Sequence, residues 1–114
     1  MGKDCIFCRI VAGEVPSDTL YQDDHLVAIR DTNPQAPTHI LILPRAHVPS
    51  LADLTAEQEP LMGSMIRVAS ELAKAEGVAD KGYRLVINSG LEAGQEVPHL
   101  HMHLLGGRPM GGLG

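Results

Sequence analysis

A chain of 114 residues, 44% hydrophobic and 20% charged, has the length and composition of one ordinary globular domain that can bury a core without disulfides or a metal. A net charge of -5 with scattered basic residues excludes the electrostatic footprint of a nucleic-acid binder, and the longest apolar run, Ile40 to Leu43, is too short to cross a bilayer. Met1-Gly2-Lys3-Asp4-Cys5 runs into charged residues where a signal peptide needs an apolar stretch, and Ile6 stands where myristoylation wants Ser or Thr, so a cytoplasmic location is expected.

Cys5 and Cys8 form a Cys-x-x-Cys pair, which in a cytoplasmic protein points to zinc or redox chemistry before a structural disulfide. Leu20 to Gln22 and His25 to Asp31, around the turn-like Asp23-Asp24, predict a hairpin or a short meander. Asn33 to Pro37 holds two prolines in four residues and reads as a loop. Thr38 to Leu43 is β-branched and apolar, a buried strand ended by Pro44.

Thr55 to Glu76 predicts a helix with Leu61, Met65, Val68, Leu72 and Ala75 on one stripe and Gly77 as its stop. Thr55 and Gln58 match a capping box, and Pro60 calls for a short lead-in turn before the main helix. Tyr83 to Asn88 and His99 to Leu105 are further strands, separated by a loop over Ser89 to Glu96 and followed by a glycine-rich tail over residues 106–114. Strands on both sides of one long helix indicate an α+β fold with a largely antiparallel sheet, in a single domain over 1–114.

His99, His101 and His103 occupy alternate positions, so in an extended segment they share one side while Leu100, Met102 and Leu104 enter the core. A wet face could be filled more cheaply by threonine, serine or lysine. A metal centre is a second use of paired histidines, but no nearby carboxylate supplies a hard third ligand. Neutral imidazole is a nucleophile near pH 7, and attack on phosphorus would split one displacement into two. The neighbouring imidazoles would then bind phosphoryl oxygens or move the leaving group's proton, with the amides of Gly94-Gln95-Glu96 on the same phosphate.

His99-Leu100-His101-Met102-His103-Leu104-Leu105 resembles the signature of the histidine triad family, His-φ-His-φ-His-φ-φ with φ apolar. Similarity continues through Cys5 to Ile10, Asp31 to His39, Gly82-Tyr83-Arg84, and Gly94 to Pro109. The resemblance implies about five strands, one long helix, a short N-terminal helix and a homodimer. Hydrolases of the family keep histidine at the third triad position, where its nucleotidyl transferases carry glutamine, so His103 implies hydrolysis. The Gln-Ala-Pro-Thr-His block resembles the purine nucleoside phosphoramidase branch, with dinucleoside polyphosphate hydrolysis or a low-turnover nucleotide sensor as alternatives.

Carried over, the resemblance makes His101 the nucleophile, supported by His103, His99 and His39. It assigns Asp31 to the ribose hydroxyls, Thr32 and Asn88 to the nucleotide, Gly94, Gln95 and Glu96 to the phosphate, and Ile6, Phe7, Ile10, Ile29 and Leu41 to the base. Some triad proteins complete a structural zinc site with residues matching Cys5, Cys8, His47 and His99, whereas catalysis is expected to need no cofactor. Pro98 departs from the aromatic residue many relatives carry before the triad.

Overall fold

The structure, a computed structural model, describes residues 5–114; Met1 to Asp4, where a signal peptide and a myristoylation site were sought, lie outside them. Strands β1 (Thr19–Gln22) and β2 (Leu26–Arg30) form the expected hairpin. Asp23 closes its turn: Oδ1 accepts the N–H groups of His25 and Leu26, both at 2.7 Å, and Oδ2 accepts the Tyr21 hydroxyl at 2.6 Å. With β3 (Thr38–Pro44), β4 (Tyr83–Val86) and β5 (Met102–Gly106) they make one antiparallel sheet in the order β1-β2-β3-β5-β4. The α+β expectation, five strands included, therefore holds.

Three strands are shorter than their sequences suggested, β2 by one residue at each end and β4 and β5 at the ends that face the site. In the β3–β5 register Ile42 faces Met102, so Leu100 would face Pro44, which has no N–H to give. Leu100 N–H turns instead to the Val48 carbonyl at 2.6 Å, and β5 begins at Met102 and not at His99. β4, its neighbour, stops at Val86, two residues before Asn88. At the far end, Gly107 adopts φ +94°, and a β-carbon there would lie 2.8 Å from Pro37. Only glycine fits that crossing.

Helix α2 (Glu59–Ala75) follows the lead-in turn that Pro60 required, a 3-10 turn at Ala56–Gln58 with the Thr55/Gln58 capping box in place. It buries Met65, Val68, Ala69 and Ala73, with Leu61 and Leu72 partly covered. Ala75, predicted on the stripe, is exposed. The small Ala69 and Ala73, four residues apart on one flank, let the helix approach the sheet on that side and carry the stripe away from Ala75.

Alternation divides the sheet. Leu26, Ala28, Ile40, Ile42, Met102 and Leu104 pack against α2, all at most 3% exposed. Val27, Ile29, Leu41 and Leu43 face the other way, against Cys5 and Phe7 of the N-terminal segment. There the short helix α1 (Ile6–Val11) is capped by Cys5, whose Sγ accepts Cys8 N–H at 3.3 Å. The odd-numbered histidines of β3 and the β5 segment belong to this second side.

Candidate active site

A helix of six residues cannot cover a five-stranded sheet, and beside α1 the second face opens into a cavity of about 690 Å³. That volume suits a small-molecule ligand. Ile6, Phe7 and Ile10 of α1 and Ile29 and Leu41 of the sheet form its apolar wall. Asp31, Thr32, Asn88, Gly94, Glu96, His39, His101 and His103 line the rest. Arg30 also lines it, but its guanidinium is held by Glu76 in a bidentate pair at 2.8 and 2.9 Å. An anion in the cavity must therefore be met by imidazoles and backbone amides.

The hydrogen bonds of the imidazoles decide where their protons are. A carbonyl can only accept, so His101 Nδ1, 2.7 Å from the His99 carbonyl, is the protonated nitrogen, and the lone pair resides on Nε2. Gln35 N–H donates to His39 Nδ1 at 3.0 Å, which places the proton of neutral His39 on Nε2. That nitrogen is 2.9 Å from His103 Nδ1 and 3.3 Å from Asp31 Oδ2. His103 consequently accepts at Nδ1 and keeps its own proton on Nε2.

These rings resist protonation. Burial, followed by the neighbouring His101 and His39, pushes His103 down to about 4 against the pull of Asp31. Burial also holds His39 below the ordinary imidazole range, again opposed by Asp31. A lone pair on His101 and an N–H on His103, both in one cavity, are a nucleophile and a hydrogen-bond donor.

His99 does not join them. It is completely buried behind the cavity, its Nε2–H donating to the Pro44 carbonyl at 2.8 Å. Its Nδ1 lies 3.3 Å from Cys5 Sγ and 3.5 Å from Cys8 Sγ, and Cys8 Sγ lies 3.2 Å from His47 Nδ1. The shorter β5 explains this: outside the ladder, residue 99 is free to turn its ring under α1. The His99 side chain therefore lies outside the cavity, and its carbonyl is the group that meets His101 Nδ1. Gln95 is also absent from the cavity wall. Its side chain accepts Gly90 N–H at 2.9 Å and donates to the Pro49 and Val97 carbonyls at 2.6 and 3.1 Å, bracing the loop that presents Gly94 and Glu96.

Cys5, Cys8, His47 and His99 gather their four donor atoms within 4.8 Å of one another. The Pro44 carbonyl keeps His99 in the tautomer that offers Nδ1 to the sulfurs, as a metal-ligating imidazole requires. Two thiols and two imidazoles suit tetrahedral zinc.

Residues 12–110 match the HIT domain family. The chain belongs to the histidine triad family. It is 53% identical to the purine nucleoside phosphoramidase of Escherichia coli strain K12, over 97% of this chain and 93% of that protein. Among solved structures, a HIT family hydrolase from Legionella pneumophila Philadelphia 1 superposes with a TM-score of 0.93 at 44% identity, covering 95% and 96% of the two chains. A zinc-bound histidine triad family protein from Mycobacterium smegmatis superposes with a TM-score of 0.82 at 29% identity, over 95% and 78%.

In this triad protein the cavity includes residues that its sequence did not single out: Val15, Pro16, Asn33, Gln35 and Val97. Gln35 acts through its backbone amide on His39, and a main-chain donor leaves no mark in residue type.

Proposed function

We propose that this protein hydrolyses purine nucleoside 5'-phosphoramidates to a nucleoside monophosphate and an amine, through a nucleotidyl intermediate on His101. The observation that carries the reading is the 2.7 Å bond from His101 Nδ1 to the His99 carbonyl, which leaves Nε2 as a nucleophile in a cavity of nucleotide size. The 53% identity to a protein named purine nucleoside phosphoramidase supports the substrate class.

The purine rests against Ile6, Phe7, Ile10, Ile29 and Leu41, and Asp31 accepts the ribose hydroxyls. The Glu96 backbone amide, with Thr32 and Asn88 beside it, completes the polar wall, since Gly94 N–H and Gln95 N–H donate to the Leu91 and Gly90 carbonyls. His101 Nε2 forms a bond to phosphorus as the P–N bond breaks. The departing nitrogen takes up one proton from solvent and leaves as a neutral amine, while His103 Nε2–H hydrogen-bonds the reacting group. The positive charge on the nucleotidyl imidazole is steadied by its Nδ1–H bond to the His99 carbonyl. Water then attacks phosphorus, His101 departs as the neutral ring, and the proton returns to solvent.

Zinc on Cys5, Cys8, His47 and His99 supplies no reactive group; when bound it ties α1 to the segment that carries His101. In its absence the Cys8 thiol is pushed up to about 11, mainly by burial and the Cys5 contact, so metal binding releases a proton. Two free thiols are consistent with a reducing, cytoplasmic setting, and no helix among the described residues is long and apolar enough to cross a membrane. A homodimer is supported by β4 at the sheet edge and by Ile66, 52% exposed on the outer face of α2.

His101→Asn tests the assignment. We expect turnover of adenosine 5'-phosphoramidate to be abolished with AMP binding retained, and mass spectrometry of the acid-quenched wild type to show an adenylyl adduct that the variant lacks. Turnover surviving the substitution would overturn the mechanism, and tight AMP binding without turnover or adduct in the wild type would make the protein a sensor. Faster cleavage of diadenosine polyphosphates than of phosphoramidates would reassign the substrate.

A further inference from the structure

Asp31 Oδ1 accepts Asn33 N–H at 2.8 Å, which fixes the carboxylate and leaves Oδ2 3.3 Å from His39 Nε2. The same nitrogen stands 2.9 Å from His103 Nδ1. Gln35 N–H occupies the other side of the ring, so neutral His39 has one proton, on Nε2, and two acceptors face it. One acceptor is a charged carboxylate and the stronger, though the more distant; the other is a neutral ring nitrogen.

Asp31 is partly open to the cavity, with a fifth of its side chain exposed, whereas His39 is buried. A ligand hydroxyl reaching Oδ2 would satisfy the carboxylate and weaken its hold on the His39 proton. The proton would then be shared with His103 Nδ1 alone. A ring that accepts a firmer bond at Nδ1 is better fixed in direction, and chains of such bonds strengthen one another. The donor at the far end, His103 Nε2–H, would be locked at the moment a nucleoside arrives.

We propose that Asp31 and the Gln35 backbone amide are positioning groups for His103, through which the vicinal hydroxyls of a bound nucleoside engage the donor beside the nucleophile. The inference rests on the nucleotide reading of the cavity. It gives the hydroxyls a part in the chemical step as well as in binding, so their removal lowers kcat and does not merely raise KM.

The test compares adenosine 5'-phosphoramidate with its 2',3'-dideoxy analogue, by single-turnover rate, kcat and KM, on the wild type and on Asp31→Asn. In the wild type we expect the dideoxy substrate to lose about tenfold in single-turnover rate, less than the roughly 10²–10⁴-fold of a whole acid–base group because the donor is loosened and not removed. In Asp31→Asn no carboxylate competes for the His39 proton, so deleting the riboside's hydroxyls should cost no further single-turnover rate. Nitrogen-15 NMR supplies the second readout: both nucleotides should shift the His103 ring signals through the phosphate, but AMP should shift those of His39 and dideoxy-AMP should leave them in place.

Equal single-turnover rates for the two substrates on the wild type overturn the inference and leave the proposed function standing. Additive losses in Asp31→Asn overturn it as well. If the wild type cleaves no phosphoramidate, the function falls and the inference with it. The wild-type comparison and the NMR need no variant, so a poorly folding Asp31→Asn does not remove the test.

Discussion

The two faces of the sheet are built from the same strands with the same alternation, yet they end differently. Against the 17-residue α2 every inward position is hydrocarbon, and Leu26, Ala28, Ile40, Ile42 and Leu104 have no exposed surface. Against the six-residue α1 the apolar set is thinner, and His39, His99 and His101 are buried among it. A face that is completely covered has no room for chemistry. Where the cover is short, the sheet keeps both a cavity and imidazoles dry enough to hold fixed protons.

Breaking the covered face should cost stability and little else. Leu104→Ala removes a side chain with no exposed surface between α2 and the sheet, and about 2–5 kcal/mol of stability should be lost. Urea unfolding measures the loss, and kcat per folded molecule should stay within twofold or so of wild type, because Leu104 points away from His103 and His101. A large fall in kcat for the folded fraction would mean that the two faces are not independent.

The cluster on the other face offers a middle case. If zinc occupies Cys5, Cys8, His47 and His99, stripping it with a chelator should lower the unfolding free energy by about 2.7 kcal/mol for an ion held at a hundredfold excess over its Kd. Turnover at temperatures where the protein remains folded should persist. Complete loss of activity on chelation, restored by zinc, would move the metal from brace to chemistry and sink the division of labour drawn between His99 and His101.

Much of this division was legible in residue order, because periodicity of two states which side chains share a face whatever the strand's limits. Leu100, Met102 and Leu104 enter the core, and His101 and His103 line the cavity, as alternation requires. What alternation could not state was the ladder's end. That depended on Pro44 lying opposite Leu100, a relation between residues 56 apart that exists only once β3 and β5 are in register. The turn of the His99 ring away from the cavity and toward Cys5, Cys8 and His47 follows from it. The backbone amides expected on the phosphate are met in part inside the loop: Gln95 N–H donates to the Gly90 carbonyl at 3.1 Å and Gly94 N–H to the Leu91 carbonyl at 3.0 Å, turns that exist only once the loop has folded. The roles of the His99 carbonyl and the Gln35 amide belong to the main chain, and sequence encodes them only through conformation.

The smallest expected effect distinguishes the faces by pH. Hydrocarbon does not titrate, but His103 is held near 4 in the folded chain and returns to about 6.5 when unfolded. Below pH 6.5 the unfolded state therefore binds a proton that the folded state refuses, and stability falls as pH drops; above pH 6.5 both states are neutral and the penalty vanishes. At pH 5.5 this one ring should cost about 1.4 kcal/mol relative to pH 8, and His39, also lowered by burial, acts in the same direction. Denaturant melts at the two pH values measure the sum, and His103→Gln should reduce the pH dependence because the new side chain does not titrate. A wild-type stability that is level from pH 8 to pH 5.5 would mean that these rings are not held neutral by burial, and the proton assignments at His39 and His103 would have to be redrawn.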